Sequence, residues 1–136
     1  MTNTAMIWPL IAQVLLVYIV YGVMGKRRFG AVRQGTARAR DFLVPSVEPE
    51  TSATVARNLT NQFELPVLFY FVCTLLIVTN GVSILTVSAA WLFVVSRYGH
   101  AFVHVTSNRL MLRHRLFVAG LAANALLWLF LAIHIL

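Results

Sequence analysis

The sequence predicts an all-α integral membrane protein, a bundle of four membrane-spanning helices. Three observations predict it. The first is composition: 60 % of the 136 residues are apolar and only 11 % are charged, with a mean hydropathy of +0.80, whereas soluble domains carry about a quarter charged residues. The second is length. A span needs roughly 20 predominantly apolar residues, and four such runs consume nearly the whole chain, so 1–136 reads as a single transmembrane domain. The third is the confinement of most Lys and Arg residues to loops beside the apolar runs.

The first span runs over about 5–24, with Pro9 in its opening turns, where a missing N–H costs little. A long basic loop follows, carrying Lys26, Arg27, Arg28, Arg33, Arg38 and Arg40 and ending in the helix-breaking stretch Pro45, Glu48, Pro49, Glu50. The second span, over about 53–79, has Thr51 or Ser52 as candidate cap, and Pro66 inside it predicts a kink that opens backbone carbonyls. Asn80-Gly81 is a tight-turn signal before the third span at about 82–106. A short connection with Arg109 and Arg113 leads into the fourth, at about 115–136.

Six cations in the first loop and three (Arg109, Arg113, Arg115) around the third face none at the termini or at Asn80-Gly81. This asymmetry places both basic loops in the cytoplasm and both termini on the opposite side. A net charge of +7 would suggest nucleic acid in a soluble protein; here topology and lipid headgroups account for it, and no nucleic-acid partner is expected. The single Cys73 sits in an apolar run and reads as a buried, inert thiol. The N-terminus lacks the basic flank of a cleavable signal peptide, and the compact chain suits a bacterial inner membrane. His114 reads as solvated and His134 as interfacial.

Polar residues inside the apolar runs carry the functional signal. At 100° per residue, Arg57, Asn61 and Glu64 share one face of the second helix, and Arg97, His100 and His104 share one face of the third. With a rise of about 1.5 Å per residue, Glu64 and Arg97 lie at similar depth in antiparallel helices. An isolated charge at that depth costs about 3 kcal/mol or more, so the two need one another, water or a ligand. A buried ion pair that merely sets packing is the plainer reading, but an acid, two arginines, an amide and two histidines exceed what packing needs. A metal at His100 and His104 is not expected, since no cysteine or carboxylate completes the set nearby. The one Asp, Asp41, is in the loop, which leaves Ser-His-Asp chemistry without support.

Arg57-x-x-x-Asn61-x-x-Glu64 with Pro66 just beyond, Arg97-x-x-His100 in the third span, and the Arg109, Arg113, Arg115 cluster resemble the signature of the MAPEG family, the membrane-associated proteins in eicosanoid and glutathione metabolism. The likeness covers essentially the whole chain and points toward the microsomal glutathione transferases. It implies a homotrimer with glutathione held at each subunit interface. Carried over by position, Arg57, Asn61 and Glu64 would contact glutathione, Arg97 would pair with Glu64 or the ligand, and His100 would belong to the same cofactor-binding set; either Arg27 or Arg28 would bind a glutathione carboxylate, and Arg113 or Arg115 would stabilise the thiolate. Where members of the family carry a tyrosine late in the third helix this chain has His104, which could substitute as a hydrogen-bonding or proton-transferring group; Phe117 stands where some have a tyrosine in the fourth.

The resemblance implies a glutathione-dependent membrane transferase or peroxidase acting on lipophilic electrophiles or lipid hydroperoxides that arrive through the bilayer. The alternatives are a non-enzymatic, lipid-binding accessory protein of the same fold, against which the arginine cluster argues, and a small transporter, for which no inverted repeat is visible.

Overall fold

A computed structural model describes residues 3–43 and 47–136. Pro45, expected to interrupt the first loop, lies outside them. Helix α1 spans Thr4–Arg33, a short 3₁₀ turn covers Ala39–Leu43, and then follow α2 Glu50–Asn61, α3 Leu65–Val78, α4 Ile84–Val105 and α5 Leu110–Ile135. The described residues are helical apart from connections, and α2 with α3 forms one interrupted span. The result is an all-α, integral membrane four-helix bundle. Three of its four long elements, Thr4–Arg33, Glu50–Val78 and Leu110–Ile135, are long and apolar enough to cross a membrane. The fourth, α4, carries Arg97, His100 and His104, which lower its hydropathy.

The helix termini follow local chemistry. Ser83 and Thr86 form a reciprocal capping box at the start of α4, where Thr86 N donates to Ser83 Oγ and Ser83 N to Thr86 Oγ1. Asn80 and Asn108 adopt positive φ, at 58° and 48°, in the two tight connections, a conformation asparagine tolerates better than most residues. The expected cap of the second span differs: α2 opens at Glu50 behind Pro49, and Thr51 and Ser52 lie inside its first turn, with Ser52 Oγ donating back to the Pro49 carbonyl at 3.1 Å. Helix α1 likewise runs on past Met24 to Arg33, at about 1.5 Å per residue reaching well beyond the hydrocarbon core.

Pro66 governs the middle of the second span. It cannot donate to the Gln62 carbonyl four residues back, and its ring would collide there. The chain leaves the helix through Gln62 and Phe63, whose N–H groups take the tighter i−3 bonds to Leu59 and Thr60. Glu64, at φ −99° and ψ −101°, is the turning residue, and α3 restarts with Pro66 in its first turn, where no donor is needed.

One half of the bundle is apolar. Met6, Phe69, Val72, Cys73, Leu76, Ala90, Phe93, Ala123 and Leu127 form its core, with Phe69 and Phe93 stacked 4.2 Å between centroids. Cys73 is free and buried, in line with the sequence reading. The other half is packed with polar groups: Gln13, Asn58, Gln62, Arg97, His100 and His104 are all buried. Since lipid gives helices little hydrophobic reason to associate, close approach must come from small residues. The α4–α5 seam supplies them: a Cβ on Gly120 would stand 2.7 Å from Ser96 Oγ and 3.6 Å from Arg97 Cδ. The outer surface presents Trp8, Tyr18, Phe71, Val95, Phe102 and Ile133, a liability in water but the proper exterior in hydrocarbon.

Candidate functional site

The break ahead of Pro66 frees the Asn61 carbonyl at the end of α2, and Arg97 Nη2 donates to it at 3.1 Å. Arg97 is completely buried, and its Nε and Nη1 have no protein partner. The expected meeting of Glu64 with Arg97 is therefore looser than a salt bridge. The carboxylate acts on the guanidinium through space, but the one ion pair among the described residues joins Arg28 to Glu48. The physical reason is the break itself. With Glu64 in the turning segment rather than on a continuous helix, the 100° rule no longer relates it to Asn61, and the nearest acceptor for Arg97 is a carbonyl.

Residues from three helices nevertheless converge. Arg57, Thr60, Asn61 and Glu64, His100 and His104 from α4, and Leu110, Arg113, His114 and Phe117 from α5 line a cavity of about 590 Å³, within the size range of small-molecule sites. Arg57 and Glu64 are exposed on the single chain and Asn61 is half-buried. His100 faces His104 at 5.7 Å and Phe117 at 6.0 Å between ring centroids, and its Nδ1 is buried without a partner. Arg113 Nη1 donates to Asn108 Oδ1 at 2.7 Å, so the αL turn residue Asn108 sets its direction. Arg115 is exposed and does not line this cavity. His114, read from the sequence as merely solvated, is exposed and lines it.

The two arginines at the end of the first span are already engaged. Arg27 Nη1 and Nη2 donate to the carbonyls of Thr51 and Val105 at 2.8 and 2.7 Å, clamping α1 to the start of α2 and the end of α4. It lines a second cavity, of about 910 Å³, with Lys26, Glu50, Thr54, His104 and Asn108. Arg28 makes a bidentate pair with Glu48, at 2.8 and 3.1 Å, and lies over the Phe42 ring. That hydrogen bond holds the Glu48 carboxyl below its ordinary range. Neither arginine reaches the smaller cavity, which separates both from Arg57 and Glu64 within one chain.

Sequence reasoning missed a set of amides. Gln13, Asn58 and Gln62 are at most 1 % exposed, and they join one another and His104 by hydrogen bonds. An uncharged amide in an apolar run is a weak signal, but Gln13 within the first span was available to find.

The protein is thus an all-helical membrane bundle with a polar cavity lined by arginines, histidines and one glutamate. A profile of the MAPEG family matches residues 6–133, nearly the whole chain, and the protein belongs to that family. No curated protein and no solved structure matches it significantly. Membership places the chain among membrane proteins of glutathione and eicosanoid metabolism, in a family that generally uses glutathione as a cosubstrate.

Proposed function

We propose that the protein is a glutathione-dependent membrane transferase or peroxidase acting on lipophilic electrophiles or lipid hydroperoxides. The observation that carries this reading is the convergence of Arg57, Asn61, Glu64 and Arg113 on one cavity. Glutathione supplies a nucleophilic sulfur and carries two carboxylates and one ammonium, so a pocket with several arginines and one glutamate is electrically complementary to it. Arg97 Nε and Nη1, behind the cavity, and Nδ1 of the cavity-lining His100 are buried polar atoms without a partner, which adds to the polar character of this end of the bundle.

In this reading Arg57 binds a carboxylate, Glu64 takes the ammonium and Asn61 supplies an amide contact. Arg97 supports that wall by holding the Asn61 carbonyl. Arg113, rather than Arg115, faces the sulfur: a guanidinium there favours the thiolate over the thiol and so raises the nucleophile's concentration at neutral pH. His104 donates a hydrogen bond or moves a proton at the same cavity. The lipophilic substrate reaches the site from the bilayer.

The assembly follows from the same residues. Arg57 and Glu64 are exposed on a single chain, and a charge left open near hydrocarbon is costly. A homotrimer covers that flank and allows Arg27 or Arg28 of a neighbouring copy to approach the cavity that its own chain keeps them from. The basic loops face the cytoplasm, where glutathione is abundant.

Calorimetric titration of glutathione into the purified protein, beside Arg57→Ala and Glu64→Ala, tests the reading. Saturable binding that both variants lose is the expected result. Absence of binding by the wild type at millimolar glutathione would sink the enzyme and favour an accessory, lipid-binding member of the family.

A further inference from the structure

Behind the cavity, a row of buried amides ends on a cavity-lining imidazole. Gln13 Nε2 on α1 donates to Gln62 Oε1 at 3.0 Å. Gln62 Nε2 donates to Asn58 Oδ1 at 3.1 Å, and Asn58 Nδ2 lies 3.2 Å from His104 Nδ1. All four residues are at most 3 % exposed, so each bond is made away from water, where an unmade one is expensive.

The row has a direction. An amide-and-imidazole chain can in principle be reversed end to end, with every amide turned over and His104 Nδ1 becoming the donor. The backbone carbonyl of Asn58 breaks the symmetry. It lies 3.5 Å from Gln62 Nε2 and can only accept; in the reversed row it would face Gln62 Oε1, oxygen against oxygen. The orientation with Gln62 Nε2 toward Asn58 is thus the one the fold supports, and it obliges Asn58 to donate and His104 Nδ1 to accept. A ring nitrogen that accepts carries no proton, so the other nitrogen, Nε2, must carry it in the neutral ring.

We propose that Asn58, oriented by Gln62 and Gln13, is a positioning residue that fixes His104 as its Nε2–H tautomer and so makes it a hydrogen-bond donor to an acceptor atom of the ligand. The functional half rests on glutathione being that ligand; the tautomer does not. His104 lines both cavities, and with Nδ1 turned to Asn58 its Nε2 is the nitrogen left for a ligand. The guanidiniums of Arg113, Arg57 and Arg97 act on the same imidazole, and the ring of His100 meets it edge-on at 5.7 Å between centroids. A neutral donor there adds a directed contact without adding a further fixed charge.

Nitrogen-15 NMR of histidine-labelled protein tests this without any assay of turnover, with His104→Gln identifying the His104 signals by their loss. The wild type should show a pyridine-type Nδ1 and a pyrrole-type Nε2. Asn58→Asp, whose carboxylate only accepts, should place a proton on Nδ1, and Asn58→Leu, which offers no partner, should lose the single preference. A protonated Nδ1 in the wild type, or an unchanged ring in Asn58→Asp, overturns the proposal. Glutathione titration supplies the second arm: Asn58→Asp should bind roughly tenfold more weakly, the value of about one lost buried hydrogen bond. Wild-type binding left intact by Asn58→Asp would overturn the donor role. A wild type that shows the expected tautomer but binds no glutathione would instead remove the proposed function and leave the tautomer standing.

Discussion

Arg97 is held by a carbonyl rather than a carboxylate, and much of the site's geometry descends from that one contact. Its aliphatic stem lies against Gly120, where a Cβ would reach Ser96 Oγ at 2.7 Å, and Ser96 Oγ itself donates to the Phe93 carbonyl at 2.6 Å. Gly120→Ala should therefore destabilise the bundle by about 1–3 kcal/mol, seen as a lower midpoint of thermal unfolding in detergent. Adding Ser96→Gly should recover most of the loss, and no recovery would place the strain elsewhere. Two neighbouring arginines on α5 should behave differently. Arg113 lines the cavity and Arg115 does not, so Arg113→Ala should lower kcat roughly a hundredfold, the usual scale for removing one charge-stabilising donor, while Arg115→Ala leaves it nearly unchanged. Equal effects of the two changes on steady-state turnover would reverse the assignment.

Among the elements, the interrupted second span and the first loop are where local chemistry decides the outcome. Pro66→Ala restores an N–H opposite the Gln62 carbonyl, which invites α2 and α3 to merge. Arg97 Nη2 then loses the free Asn61 carbonyl, and Glu64 rotates with the new helix. Glutathione affinity should fall while far-ultraviolet circular dichroism shows equal or greater helicity; unchanged affinity would mean that the break does not place the site. In the first loop, the Arg28–Glu48 pair ties the end of α1 to the approach to α2. Glu48 has its folded-state pKa depressed by that hydrogen bond. Its contribution is accordingly complete above the ordinary carboxylate range and is lost as pH falls through the depressed value. Hydrogen exchange at Arg38–Leu43, measured down an acid series, should accelerate only below the normal carboxylate range. Arg28→Ala should shift that onset to higher pH, and an onset that does not move would exclude the pair as its cause.

At the scale of the molecule, Arg57 and Glu64 are exposed in the second span, beside the exposed apolar side chains of Phe63, Val67 and Leu68, which argues for association. Native mass spectrometry from lipid nanodiscs should give a trimer, and a persistent monomer would leave these charges to lipid headgroups and water instead. The architecture was largely legible in the sequence, because four apolar runs bounded by basic loops admit few other solutions. So were most of the cavity residues: Arg57, Asn61, Glu64, His100, His104 and Arg113 stand out as polar side chains beside or within apolar runs, and they line one pocket. Arg97 stood out equally but forms the support behind it. Arg27 and Arg28 were legible as cations, yet their partners, the carbonyls of Thr51 and Val105 and the Glu48 carboxylate, come from elements distant in sequence.

What the sequence by itself determined is the solvent this chain must live in, its all-helical four-helix architecture and the charged and imidazole side chains of its polar half, since each follows from the cost of exposing or burying side chains one at a time. Tertiary structure alone decided which arginine of the α5 start enters the cavity, that Arg97 takes a backbone carbonyl in place of Glu64, and that Gln13, Gln62 and Asn58 line up behind His104. Those outcomes depend on how each helix is rotated about its axis and where the second span breaks, and rotation is set by close packing between helices far apart in the chain, which no single run of residues contains.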